Sequence, residues 1–489
     1  MLNLLNPSVR KQIIEETQGN ENVERKKQSF IQSEVYKDRI YQPVKKYLEP
    51  FYSEKTINET PIIASVNLAR RIVNKEASLY CREPERKFYG LTDAQIELIK
   101  QVYDDMKIDT IMQRINQNYK LENQTHCYIV PRAGKLKMIP MMAYQLDVVP
   151  SSADSEIGEV YLVNGFDRIA GNVQVTTTGD STDEMIADED DYKKARKAIS
   201  VWSPMFNFIM DEEGNIINTE DTSNPIGGVV PFVDVFSSKD SEYWVRIGQS
   251  VTDFTIQYNA ALTDMSNIVR MQGFGQAWLK SGPDQKMQNV QIGPNKILHL
   301  PTDPNGGQSA EFGYANANPD LSGSLSYIEG LLSSFLTSRG VDPKTVNAKG
   351  EAMTYTSGLD RLLAMVEQFE ATEADTEVME CAERQILKIV IAYLNTYAGT
   401  PVLPNYPSVT LPLDATVDVE FQKPTAIQSD SEKLANIQMR LELGLIDQID
   451  AIAEDRNIDR EEAQVIFDKM TGVQSQNNQQ SQDMTQQDG

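Results

Sequence analysis

The chain has 489 residues, 40% hydrophobic and 24% charged, and its 71 acidic against 46 basic residues give a formal charge of −25. The length allows two or three ordinary domains or one extended architecture. The acid excess argues against adhesive nucleic-acid binding, which normally shows a basic footprint, though not against a protein that nucleic acid must pass without sticking. No apolar run approaches the roughly 20 residues that span a bilayer, and the opening MLNLLNPSVRKQ meets Pro7 too soon for a signal sequence. Cys81, Cys127 and Cys381 lie far apart, make no disulfide framework and point to a reducing compartment.

Residues 1–60 mix charge and aromatics, as in RIYQPVKKYLEPFYS, and read as an N-terminal arm with irregular helix. PIIASVNLARRIVNKEASLYC then places Ile63, Val66, Ala69, Ile72 and Val73 on one helical face. Thr92-Asp93-Ala94-Gln95 has capping-box spacing and opens a helix predicted to reach about Asn118. From Thr125 to about Val235 the pattern changes to short strands and turns. HCYIVPR, KLKMIPMM, EVYLVNGF, NVQVTTTG, AISVWSP and FNFIMDEEGNIIN are the best of them. The charged stretch GDSTDEMIADEDDYKKARK within this region reads as a solvated loop.

NPIGGVVPFVDVFSSKD is predicted as a turn and a buried strand. A helix over 249–270 follows, its apolar stripe made by Val251, Phe254, Tyr258, Ala261, Leu262, Met265, Ile268 and Val269, and Gly273 and Gly275 stop it. Residues 274–319 return to strands and turns. A second amphipathic helix carries Leu321, Leu325, Ile328, Leu331, Leu332, Phe335 and Leu336, with Gly340 as its cap and Pro343 preventing continuation. The polar, locally basic loop GVDPKTVNAKGEAMTYTSG leads into a very long helix predicted from about Ser357 to Tyr397. Leu359, Leu362, Leu363, Val366 and Phe369 line one half of it, and Met379, Ala382, Ile386, Ile389, Val390 and Tyr393 the other. At about 1.5 Å per residue it would span roughly 60 Å. Strands in SVTLPLDATVDVEFQKP precede helices opened by Ser429-x-x-Glu432 and Asp459-x-x-Glu462, and the Gln-rich tail after Gly472 reads as disordered.

Catalytic chemistry is sparse. His126 and His299 are the two histidines. His126 and Cys127 are neighbours on a predicted strand and point to opposite faces, so they read as structural rather than as a shared ligand site. No P-loop, H-E-x-x-H, nucleophile elbow or dinucleotide fingerprint occurs. DEEGNIIN at Asp211 reads as a hairpin turn rather than a calcium loop. The run Asp188, Glu189, Asp190 and Asp191 reads as solvated charge, with a divalent-metal nuclease as its chemical alternative. The expectation is a non-enzyme with no catalytic residue, no metal and no cofactor.

The order of helix, strand-rich module, helix, flexible loop, long helix and acidic C-terminal helices resembles the portal proteins of tailed bacteriophages. NPIGGVVPFVDVF looks like that family's Asn-x-x-Gly-x-x-Pro-Val strand. GQSVTDFTIQYNAALTDMSNIVRMQGFGQAWLKSG is similar to its Gly-x-Ser start and stem helix with a late Asn. SSFLTSRGVDPKTVNAKGEAMTYTSGLDRLLAMVEQ resembles its second stem helix, channel loop and the Ser-Gly that opens the long helix. KPTAIQSDSEKLANIQMRLELGLIDQIDAIAEDRNIDREEAQVIFDKM looks like its crown, with the helix end at Gly444-Leu445-Ile446. Together these cover about residues 60–470. The chain departs at Leu359-Asp360, where the family more often has a small residue and a Lys.

The resemblance implies an α+β portal-type fold, assembled as a ring of usually twelve subunits, with a strand-rich wing, two-helix stem, small α/β clip, long wing helix and helical crown. On that division 1–60 is the arm and 61–248 the wing, with stem helices at 249–270 and 321–339. The clip is 271–320 and the channel loop 340–356. The long wing helix with its return strands takes 357–424, the crown 425–471 and the tail 472–489. Phe254, Tyr258, Leu262, Met265, Leu332 and Phe335 would pack the stem, and Trp278, Lys280, Ile292 and Ile297 would build the clip. Lys344, Thr345, Asn347 and Lys349 would face double-stranded DNA that passes without sequence specificity. The implied partners are the terminase large subunit, the major capsid protein and scaffold, and a head–tail adaptor. No membrane is involved. The implied location is the portal vertex of the virion, after assembly in the host cytoplasm. A non-catalytic virion scaffold or adaptor that binds only proteins is the alternative.

Overall fold

The computed structural model describes residues 2–167, 176–177, 196–217, 221–236, 242–245, 250–272, 276–280, 311–315, 320–341, 343, 366–421, 434, 437–441, 446–456, 460 and 463–469. Helices and several antiparallel sheets make a mixed α and β fold. The chain divides into two compact units, Met1–Ala348 with Glu370–Gln422, and Lys349–Phe369 with Lys423–Gly489.

The first 60 residues are more than an arm. They form helices α1 (Pro7–Thr17), α2 (Asn20–Tyr36) and α3 (Tyr41–Leu48), a 3-10 turn (Glu49–Phe51) and α4 (Glu54–Glu59). Asn6 caps α1, accepting from the Ser8 amide with Pro7 in the first turn. Leu4, Ile13 and Ile14 are buried against Val160, Leu162, Val201 and Phe208 of the strand-rich layer. Arg10, also buried, is satisfied by the carbonyls of Leu4, Leu5 and Gly214. The predicted helix over the PIIASV stretch begins late. Asn67 caps α5 (Leu68–Glu76) by accepting from the Arg70 amide, while 61–67 is outside any helix. Ala69, Ile72 and Val73 are buried as predicted, whereas Ile63 and Val66 belong to that non-helical segment.

Strand β1 (Glu85–Tyr89) precedes α6 (Asp93–Met106), which opens with the Thr92–Gln95 capping box. The helix predicted to continue to Asn118 breaks at Lys107, whose φ of 56° is left-handed, and resumes as α7 (Ile108–Glu122). Next come β2 (Gln124–Arg132), β3 (Lys135–Met141), β4 (Leu146–Pro150), β5 (Gly158–Asp167), β6 (Thr176–Thr177), β7 (Arg196–Trp202), β8 (Asn207–Met210), β9 (Ile216–Ile217) and β10 (Phe232–Phe236). They form two sheets, β10-β2-β3 and β4-β5-β7-β8-β9, with β6 beside β5. The predicted hairpin at DEEGN joins β8 to β9: Asp211 Oδ1 accepts from the amides of Glu213 (3.0 Å) and Asn215 (2.8 Å).

Helix α8 (Val251–Gln272), strands β11 (Gln276–Lys280) and β12 (Glu311–Ala315), and helix α9 (Leu321–Ser338) follow. Then come α10 (Val366–Tyr397) and β13 (Thr416–Glu420), which pairs with β1. The second half of α10 supplies the main core. Met379, Ala382, Ile386, Ile389, Val390 and Tyr393 are all buried, in one cluster with α6, α7 and the β10-β2-β3 sheet. Glu383, fully buried on this helix, is answered by Arg86 Nε (2.9 Å) and Nη2 (2.8 Å) and by the Tyr80 hydroxyl (3.1 Å). In the other unit α11 (Gln448–Arg456) starts at Asp447, which accepts from the Asp450 amide (2.7 Å) and pairs with Arg460 (2.6 Å). The proposed starts of the long helix (357–365) and the crown (Ser429), and the Gln-rich tail, lie outside the described residues.

Candidate functional site

The two helices that the resemblance makes a stem, α8 and α9, pack side by side and antiparallel. Phe254 near the start of α8 stacks on Phe335 near the end of α9, with ring centroids 3.9 Å apart and planes 1° from parallel. Tyr258 sits one turn further along, tilted against Phe254, and burial and then the charge of Glu329 push its hydroxyl up. β11 and β12, which lie between the two helices in the chain, pair antiparallel with Trp278 opposite Gly313 and Lys280 opposite Glu311.

The inner face of α8 is the surprise. Thr252, Thr255, Asn259 and Thr263 have no exposed surface. The predicted stripe residues Phe254, Tyr258, Ala261, Leu262, Met265 and Ile268 are half-buried, and Val269 is exposed. The reason is the segment 61–67. It offers main-chain groups that need partners, and a Thr/Asn face supplies them. Ile63 donates its amide to Thr263 Oγ1 (3.0 Å). Val66 donates to Asn259 Oδ1 (3.2 Å) and accepts from Asn259 Nδ2 (2.8 Å). Asn259 Nδ2 and the hydroxyls of Thr255 and Thr263 also bond to carbonyls one turn back, each at 2.8 Å, so this polar stripe is satisfied within the helix and by the adjacent segment.

Other contacts fix the pair to the body of the unit. Tyr52 donates to Asp264, and Asn267 donates to the Tyr52 hydroxyl at 3.4 Å. Burial, then the bond to Asp264, push the Tyr52 hydroxyl up. At the far end of α9 Arg339 grips Glu76 with two bonds, 2.8 and 2.9 Å. Burial works against that guanidinium, but the Glu76 bond and charge prevail and raise it above its ordinary range.

The outer surface of the pair mixes small polar residues, such as Ser326, Ser333, Ser334 and Thr337, with a few large apolar ones. On α9 only Ile328, Leu332 and Leu336 are buried. Leu325 and Leu331 are exposed and Tyr327 is 68% exposed. Of the predicted stem residues, Leu332 is buried and Phe254, Tyr258, Leu262, Met265 and Phe335 are half-buried. The structure brings Phe254, Tyr258 and Phe335 together. Trp278 and Lys280 are placed by backbone alone. Ile292, Ile297, Lys344, Thr345, Asn347, Lys349 and the acidic run 188–191 lie outside the described residues.

His126 has a definite role in the fold. It faces Asp234 directly across the β2–β10 register, with Nδ1 2.9 Å from Oδ1, and Tyr161 donates to Asp234 Oδ2 at 2.6 Å. Burial alone would raise the Asp234 carboxyl, but the His126 and Tyr161 bonds hold it below its ordinary value. Phe236, Tyr243 and Trp244 surround the imidazole. Burial pushes the Cys127 thiol up to about 12, which makes it a poor nucleophile. Among the described residues no group of three or more His, Cys, Asp or Glu could hold a metal ion, and no helix is long and apolar enough to cross a membrane. The Asn259–Val66 clamp was missed by sequence reasoning. Its one signal was the four-residue spacing of Thr255, Asn259 and Thr263.

No family model matches the chain, and no curated protein matches it.

Proposed function

We propose that this chain is the portal protein of a tailed bacteriophage, a ring of usually twelve subunits at one capsid vertex. Double-stranded DNA is driven through it by a terminase and leaves by the same route at ejection. The major capsid protein, scaffold and head–tail adaptor dock on its outer surfaces. The ordered motifs of residues 60–470 suggest the family, and one structural observation carries the assembly. An antiparallel helix pair turns a polar stripe inward and leaves Leu325, Tyr327, Leu331 and Val269 exposed.

Covering a large apolar side chain is worth about 1.5–3 kcal/mol, so these exposed side chains favour contact with another subunit. Different faces meeting head to tail close into a ring when the rotation permits. The charge of −25 suits a conduit, because a strongly basic wall would release counterions and hold the duplex. Lys344 and Lys349 would give the channel loop a weak, screened grip on passing phosphates. Negative-stain microscopy of the purified chain tests the reading. Rings with a central hole wide enough for a duplex are expected. A protein that stays monomeric by light scattering at micromolar concentration across several salt conditions overturns it.

A further inference from the structure

A cavity of about 670 Å³ lies between the α1–α2 turn, the strand β4 and the segment 242–245, within the size range of sites that take small molecules or peptide side chains. Six carboxylates line it (Glu16, Glu21, Glu24, Glu122, Asp147 and Glu242) against one guanidinium, that of Arg25. Several of these groups already have partners. Asp147 pairs with Arg25 Nη2 (2.8 Å) and Lys26 Nζ (2.6 Å), Glu24 pairs with Lys27 (3.2 Å), and Glu122 accepts from Ser29 and from the Ala143 amide. Glu16 and Glu21, both exposed at the α1–α2 turn, have no ion pair among the described residues.

Two independent features point to an occupant. Gln32 lines the cavity, is only 5% exposed, and its amide makes no hydrogen bond within the described residues. The second is β4, which among the described residues is the end strand of its sheet and pairs with β5 alone; Arg25 reaches the carbonyl of its first residue, Leu146 (3.5 Å), and its Val148, Val149 and Pro150 form a wall of the cavity. An unpaired strand edge is a template for another extended chain. The protein's own side chains display the chemistry that the cavity favours. The Arg25 guanidinium lies 3.6 Å from the centre of the Trp244 ring while bonding to Asp147.

We propose that this cavity is the docking groove for an extended basic segment of a partner protein. The segment's main chain adds to the open edge of β4, and a lysine or arginine side chain enters towards Glu16, Glu21 and Gln32. Its aliphatic stem lies along Val148–Pro150, and its charged head takes the Gln32 carbonyl and the free carboxylates. The inference does not depend on the chain forming a ring.

Calorimetric titration of the full chain with the peptide acetyl-Thr-Lys-Val-Arg-Thr-amide tests it. Acetyl-Thr-Gln-Val-Gln-Thr-amide and spermidine serve as the other arms. The basic peptide is expected to bind saturably, more weakly as salt rises, and at least tenfold more weakly to E16Q/E21Q and to Q32L. Glu16 and Glu21 are exposed, so that double variant should keep the parent's circular dichroism and isolates the charge effect. Absence of saturable binding overturns the proposal, as does equal binding of the glutamine peptide or undiminished binding to E16Q/E21Q. Spermidine that binds as tightly and displaces the peptide also overturns it, because the site would then be one for free polyamines.

Discussion

Glu122 couples the attachment of α2 to pH. It ends α7, is buried, and receives the Ser29 hydroxyl of α2 and the Ala143 amide. Burial pushes its carboxyl up from 4.5 to about 7, against the opposing effects of those two bonds and of Arg25. The folded chain therefore holds this proton more tightly than the unfolded chain. The resulting stabilisation is complete below the unfolded value and is lost as pH rises through about 7. At about 1.4 kcal/mol per unit, the shift amounts to about 3 kcal/mol, lost for the most part between roughly pH 5 and pH 7. Glu122→Gln keeps a carbonyl for the Ala143 amide and offers an NH₂ to Ser29 Oγ, as the neutral acid would offer its O–H. The variant should match the parent at pH 4 and exceed it by about 3 kcal/mol at pH 8, measured by urea unfolding at a series of pH values. A difference between variant and parent that stays constant to within about 0.5 kcal/mol from pH 4 to pH 8 would refute this account of Glu122.

Four further outcomes are expected. Asn259→Leu strips both main-chain groups of Val66 of their partner and should cost about 2–4 kcal/mol in chemical unfolding. Arg86→Met takes the ion-pair partner from buried Glu383, leaving it the Tyr80 hydroxyl, and should cost about 3–5 kcal/mol, while pairing it with Glu383→Met should recover much of that loss. Leu325→Ser with Leu331→Ser should leave the far-ultraviolet spectrum unchanged and abolish rings under the electron microscope; intact rings would remove these faces from the interface. Lys344→Glu with Lys349→Glu should preserve the ring and reduce DNA packaging, and packaging equal to the parent's would make the loop a plain linker.

Where one physical rule acts alone, the chain announces its structure. The Thr92–Gln95 capping box, the Asp211 turn and the buried half of α10 all follow from local hydrogen bonding or from one-sided apolar spacing. Their partners are either within a few residues or are apolar enough that any core would take them.

Other features needed the tertiary structure, because two solutions of similar local energy competed. Residues 61–67 have helical periodicity, yet outside the helix their main chain finds Asn259 and Thr263, and Asn67 caps the helix that remains. In α8 the apolar stripe and the Thr/Asn stripe share one helix, and spacing alone favours burying the apolar one. The adjacent main chain, almost 200 residues away in sequence, turned the polar stripe inward because unpaired backbone groups cost more than half-exposed Leu262 and Met265. The Arg86–Glu383 pair and the cavity beside α2 were invisible for the same reason. A buried charge or an open strand edge is defined by what stands opposite it, and the order of residues along one segment does not say what that is.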